Sequence, residues 1–170
     1  MPTKIFGLPA HVLLVHAVVV LIPLTCLAVV LHAVWPTARR RLGIVTPGLA
    51  VVSLVLVPIT TNAGDFLERH LTVGGPIQVK IEHHEALGRE LIWYAIGLLI
   101  VTVAVWLVGR YLDGASVPLL VPAGDGPRTL PSWASILTAA IAIALGIATS
   151  IQLYRIGDSG AHAVWDGVLR

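Results

Sequence analysis

The sequence predicts an all-α polytopic membrane protein: a bundle of four transmembrane helices with a short outer amphipathic helix at the C-terminus. Apolar residues make up 56% of the chain, charged residues only 12%, and mean hydropathy is +0.89, whereas a soluble domain carries about 25% charged residues. Crossing a bilayer takes roughly 20 mostly apolar residues, and four stretches supply them, at about 12–34, 42–61, 91–109 and 133–154. These spans consume most of the 170 residues, so 1–170 reads as one transmembrane domain with no separate soluble part.

The first span follows Lys4 and runs on to Trp35, beyond the ~7 to 15 residues of a secretory signal core, so it reads as retained. Pro23 and Pro58 lie inside the first two spans, where neighbouring helices absorb the local kink. Trp35, Trp93, Tyr111, Trp133 and Tyr154 fall near predicted ends, at headgroup depth. Arg39, Arg40 and Arg41 directly follow the first span, where the positive-inside bias acts most strongly. They place that end in the cytoplasm and both termini outside. The outer connection, 62–90, holds Asp65, Glu68, Glu82, Glu85 and Glu90. Its Gly74-Gly75-Pro76 reads as a turn with proline at a first helical position, so the third helix begins in water, well before Leu91. The inner connection after Tyr111 is punctuated by Gly, Pro and Asp and reads as a loop. Beyond Tyr154, Asp158 or Ser159 would cap a short surface helix with Val164, Trp165, Val168 and Leu169 on its apolar face.

One cysteine, Cys26, lies inside the first span. An internal disulfide, a cysteine-ligated iron–sulfur cluster and a C-x-x-C-H haem attachment are therefore excluded. The net charge of +2 and pI near 9.0 come from arginines where a membrane topology puts them, and nothing points to nucleic acid. Redox chemistry, if present, must use histidine or a bound cofactor.

Seven histidines occur: His11, His16, His32, His70, His83, His84 and His162. Only His32 falls near the inner face. The other six converge on the outer side from four separate parts of the chain. Counting back ~20 residues from Trp35 and from Tyr111 puts the outer boundary near Val15 and Leu91. His11, His16 and His84 then sit within a turn or two of that boundary. Residues five apart on a helix are displaced by about 140°, so His11 and His16 do not point the same way. One turn from His84, Gly88 removes side-chain bulk, leaving a gap against which a flat macrocycle could lie.

A b-type haem takes two axial ligands from opposite faces, and a neutral imidazole nitrogen is a common one. His16 with His84 is the preferred pair, with His11 and His83 as neighbours, and Arg89, Lys80 or Arg155 would meet the propionates. The alternative cofactor is zinc, copper or iron at Glu82-His83-His84-Glu85, with Asp65, His70 or His162 completing the shell. That run lacks the i, i+4 histidine pair of H-E-x-x-H and is more often a solvated helical turn. A boundary histidine often only bonds a neighbouring helix, and His32 and His70 are assigned to that role. The Thr60-to-Asp65 run would cap the second helix or hydrogen-bond a ligating histidine. Small residues in Ala139 to Ser150 permit close helix packing.

LPAHVLLVHAVVVLIPL, a span ending in TNAGD, HHEALG opening the third span and GDSGAHAVW after the fourth together resemble a bacterial four-span inner-membrane family. It is catalogued as domain of unknown function 2231. The resemblance covers nearly the whole chain. Members are similar to small inner-membrane proteins joined to, or found beside, Rieske or c-type cytochrome modules, which implies a redox setting. The family's paired first-span histidines match His11 and His16, and its third-span histidine matches His84 or His83. Val12 and Ala17-Val18 stand where proline and phenylalanine-proline are frequent, which alters the expected geometry of the first helix.

The expected function is electron transfer through membrane-embedded haem b, with a quinone or an outer redox protein as partner and no catalytic residue. Besides the lipid bilayer, a second copy of the chain is a candidate partner. The competing class is a non-redox scaffold or a metal- or small-ligand-binding subunit.

Overall fold

In a computed structural model, residues 4–5, 7–70, 74–117, 122–124 and 126–166 are described. A two-residue antiparallel pair, β1 (Lys4–Ile5) and β2 (Leu8–Pro9), leads into α1 (Ala10–Val34), α2 (Pro36–Leu42), α3 (Val45–Glu68), α4 (Pro76–Leu112) and α5 (Ser132–Trp165). Four of these helices, α1, α3, α4 and α5, are long and apolar enough to cross a membrane.

The helix ends follow local chemistry. Gly75, at φ +64°, precedes Pro76, a backbone conformation that glycine adopts without penalty, with proline's missing N–H falling where the helix needs none. Helix α4 thus starts well before Leu91, as the glycine-proline turn implied. Pro36 likewise opens α2, whose Arg39, Arg40 and Arg41 fall in its last turn; this short helix was not anticipated. The separate surface helix expected after Tyr154 is corrected: α5 continues unbroken through Asp158 and Ser159 to Trp165. Ser159 faces the bundle interior instead of capping, because its hydroxyl bonds the Ile156 carbonyl one turn back at 2.9 Å. Val168 and Leu169 lie outside the described residues.

Helix α1 packs on α3 and α5, and α4 packs on the same two, so α1 and α4 face each other across the bundle. Ile22, Val29, Val57, Leu98 and Ala142 fill its centre. Small residues, Ala50, Ser53, Ala95 and Gly146, let the backbones approach, which in lipid replaces hydrophobic collapse as the source of helix association. Val20, Ile100 and Ile147 are exposed, at 64%, 63% and 56%, a cost in water that vanishes against acyl chains.

At the end of the bundle carrying the arginines, a latch joins α2 to the end of α4. Arg39 donates from Nε and Nη2 to the two carboxylate oxygens of Asp113 at 3.3 and 2.9 Å, and Arg40 Nε lies 3.4 Å from the same group. Partial burial alone would raise the Asp113 carboxyl, but the bonds and charges of Arg39 and Arg40 outweigh it and hold the group below its ordinary 3.8. A depressed carboxyl contributes stability that is fully present above the unfolded value and is lost as pH falls through the folded one. The unfolding midpoint in detergent is therefore expected to be insensitive to this group at neutral pH and to drop once pH passes below 3.8. Asp113→Asn should flatten that acid limb, measured by circular dichroism melts across pH.

Candidate functional site

At the opposite end the two long first helices of each half, α1 and α4, carry histidines that reach the second helix of their own half. His11 Nδ1–H donates to the Thr60 carbonyl of α3 at 3.0 Å. His84 Nδ1–H donates to the Ile156 carbonyl of α5 at 3.0 Å, with the Ser159 hydroxyl 3.1 Å away. A carbonyl only accepts, so each Nδ1 carries a proton, and in the neutral form of either ring Nε2 keeps a lone pair.

Glycine makes both contacts sterically feasible. A Cβ on Gly64 would lie 3.0 Å from Cε1 of His11, and one on Gly160 would lie 3.0 Å from Cε1 of His84. In each half the accepting carbonyl precedes the glycine by four residues, so the ring lies over one bare turn of helix. The two imidazoles then meet across the bundle, with ring centres 6.3 Å apart and planes at 82°.

This duplication extends through the bundle. Buried Val18, Ile22, Thr25, Val29 and His32 of α1 correspond to buried Leu91, Ala95, Leu98, Thr102 and Val105 of α4, each 73 residues later, the same interval as from His11 to His84. Buried Thr46, Ala50, Ser53 and Val57 of α3 correspond to Ala142, Gly146, Thr149 and Leu153 of α5, 96 residues later, the interval from Gly64 to Gly160. At these positions the burial pattern of the α1–α3 hairpin is repeated in the α4–α5 hairpin. His11 and His84 occupy equivalent positions in this repeat, 73 residues apart.

The structure sets His11, and not His16, beside His84. His16 is exposed and donates from Nδ1 to Val12 of its own helix at 2.6 Å; the angular offset of five residues that separates it from His11 turns it out of the bundle. His83 is exposed, beside His84 but on the other side of α4. Gly88 is half-buried, and a Cβ there would meet only Thr61 Cγ2, at 4.0 Å. Arg89 is 63% exposed, pairs with Glu85 and stands 3.9 Å from Asp65. Lys80 is paired with Asp166, and Arg155 donates to Gln152 at 3.1 Å. His70 stacks on Phe66 and bonds its carbonyl, while buried His32 bonds Thr46 Oγ1 at 3.1 Å, both packing roles. Among the described residues no three His, Cys, Asp or Glu side chains are grouped closely enough to hold a metal ion by themselves, and the Glu82-to-Glu85 run gathers no such set.

The family described as a predicted membrane protein, domain of unknown function 2231, matches residues 7–170. The chain belongs to this family. That match and the four apolar helices establish an integral membrane protein. No curated protein and no solved structure matches the chain. For this member of the domain of unknown function 2231 family, the sequence reading missed the glycine partners and the repeat. The signal was present: TNAGD and GDSGA each place glycine four residues after the carbonyl that receives a histidine.

Proposed function

We propose that this protein is a b-type haem carrier of the bacterial inner membrane, with His11 and His84 as the two axial ligands. The observation that supports the reading is the separation of the imidazoles. Ring centres 6.3 Å apart leave room for one metal ion to be held between the two rings, at about 2.0 Å from a nitrogen of each. Each Nδ1–H is held by a helix carbonyl, the support that fixes tautomer and orientation in ligating histidines. Two opposed imidazoles without a third protein donor among the described residues suit a metal that brings its own equatorial ligands. Zinc, which takes three or four protein ligands, and copper are the poorer fits.

Haem would supply one-electron chemistry at this end of the bundle. The chain's own residues orient the ligands and shape the slot; Gly88 leaves it room, and exposed Arg89 would meet a propionate. With Arg39, Arg40 and Arg41 in the cytoplasm, both termini and the histidines lie on the outer side. That placement favours exchange with a quinone or with an outer Rieske or c-type cytochrome partner.

The purified protein, or protein reconstituted with haemin, should show a Soret band that shifts on reduction by dithionite. No such band after reconstitution overturns the reading and leaves a scaffold whose histidines only join helices, a role the same carbonyl bonds could serve. Gly88→Leu separates the two. A Cβ at this position meets only Thr61 Cγ2, at 4.0 Å, so the bundle should keep its melting behaviour. Haem affinity should fall about tenfold or more through overpacking, read by haemin titration.

A further inference from the structure

The end of the bundle opposite the paired histidines holds a concavity of its own. Residues His32, Arg39, Arg40, Trp106, Arg110 and Asp113 border a recess of about 410 Å3 where α1, α2 and α4 meet. We propose that this recess binds a phosphate group, carried either by an anionic lipid headgroup or by free phosphate.

Charge is the first argument. Three guanidinium groups face one carboxylate. Asp113 is already held by both prongs of Arg39, so Arg40, 68% exposed and 3.4 Å away through Nε, is a surplus cation on a neutralised acid. Among the described residues Arg110 has no carboxylate partner: it donates from Nε to the Ser116 carbonyl at 2.7 Å and from Nη2 to the Ser116 hydroxyl at 3.2 Å, and lies over the Trp106 ring at 5.3 Å. These contacts orient its fork without cancelling its charge. Three guanidinium groups against the one carboxylate leave a surplus of positive charge among the described residues of this concavity, which suits a phosphate, because the planar fork matches two phosphate oxygens at once.

Depth is the second. The recess opens where α1 ends at Val34 and α4 at Leu112, beside Trp35 and Tyr111, the level at which aromatic rings and lipid phosphates sit. Its wall is built for close approach. A Cβ on Gly109 would lie 2.6 Å from Arg39 Cδ and 2.9 Å from His32 Nε2, so glycine lets the arginine stem lie directly on α4 and aim its head into the recess.

The test is equilibrium binding to the full-length protein in neutral detergent. Phosphatidylglycerol, phosphatidylcholine and inorganic phosphate are titrated separately, with lipid retention followed by native mass spectrometry. Phosphatidylglycerol, inorganic phosphate or both should bind, and which of them does identifies the source; zwitterionic phosphatidylcholine should bind far more weakly. Arg40→Gln and Arg110→Gln should each weaken the bound anion roughly tenfold, the loss of one charge-assisted bond. Asp113→Asn should tighten it even as it lowers the melting midpoint, an opposition that a purely structural role for these residues does not produce. Equal affinity for phosphatidylglycerol and phosphatidylcholine with no response to phosphate, or unchanged binding in the Arg40→Gln/Arg110→Gln double variant, overturns the proposal.

Discussion

Alanine at either His11 or His84 is expected to abolish the reducible Soret band, whereas alanine at His16, five residues from His11, should leave it intact. The argument rests on what each ring does in the folded bundle. His11 and His84 spend Nδ1–H on a carbonyl of the adjacent helix and have Nε2 to give to a metal; His16 is turned outward and bonded to its own helix. In the proposed haem site, removing one of the two ligating histidines would cost a metal–nitrogen bond and should lower haem affinity by 100-fold or more, of the order that even indirect support of a ligand can carry. The cost to the apoprotein is of a different size, about 1 kcal/mol for one lost hydrogen bond. Spectrum and melting midpoint should therefore separate: the band lost, the midpoint little moved. If His16→Ala loses the band while His11→Ala keeps it, the ligand assignment fails. If all three variants keep a full band, haem is held elsewhere.

Hydropathy alone made the four crossings legible, because in lipid every backbone group must be satisfied within its own helix and a long apolar run has few other fates. The gathering of histidines at one end was also legible, since it follows from counting crossings. The choice between His11 and His16 was not. Helix α1 is apolar on all sides, so no hydrophobic stripe declares which face looks inward, and rotation about its axis is set by packing against α3 and α5. What does encode that rotation is the repeat. Once Val18, Ile22, Thr25, Val29 and His32 are aligned with Leu91, Ala95, Leu98, Thr102 and Val105, His11 falls opposite His84 and His16 falls opposite Arg89, an exposed charged residue. The repeat is carried by buried positions of differing chemistry, threonine against leucine, valine against threonine, and is therefore faint as identity but clear as burial. Of the two roles expected of the Thr60-to-Asp65 run, helix capping or a hydrogen bond to a ligating histidine, the structure shows a hydrogen bond with His11, and it is accepted by the Thr60 carbonyl, which no side-chain pattern displays.

The second large effect is expected at the paired glycines. Gly64→Ala and Gly160→Ala each put a methyl group 3.0 Å from an imidazole carbon, closer than ordinary van der Waals contact, so the ring must shift by a few tenths of an ångström or the helices must part. Overpacking of this kind costs about 1–3 kcal/mol, and it acts on the group whose position matters most. A displaced ring loses its carbonyl bond, and loss of such support lowers metal affinity 10- to 100-fold. Because the halves are equivalent, the two variants should weaken haem binding by similar factors, and the double variant should lose it. Gly157→Ala is the matched control on the same helix as Gly160: a Cβ there meets nothing within 4 Å. Exchanging glycine for alanine inside a helix should stabilise by up to about 1 kcal/mol, with haem affinity unchanged. Haemin titration with thermal melts reads both quantities. Equal behaviour of Gly160→Ala and Gly157→Ala would mean that the histidine does not depend on the bare turn of helix beneath it, and the geometric basis of the site would be lost.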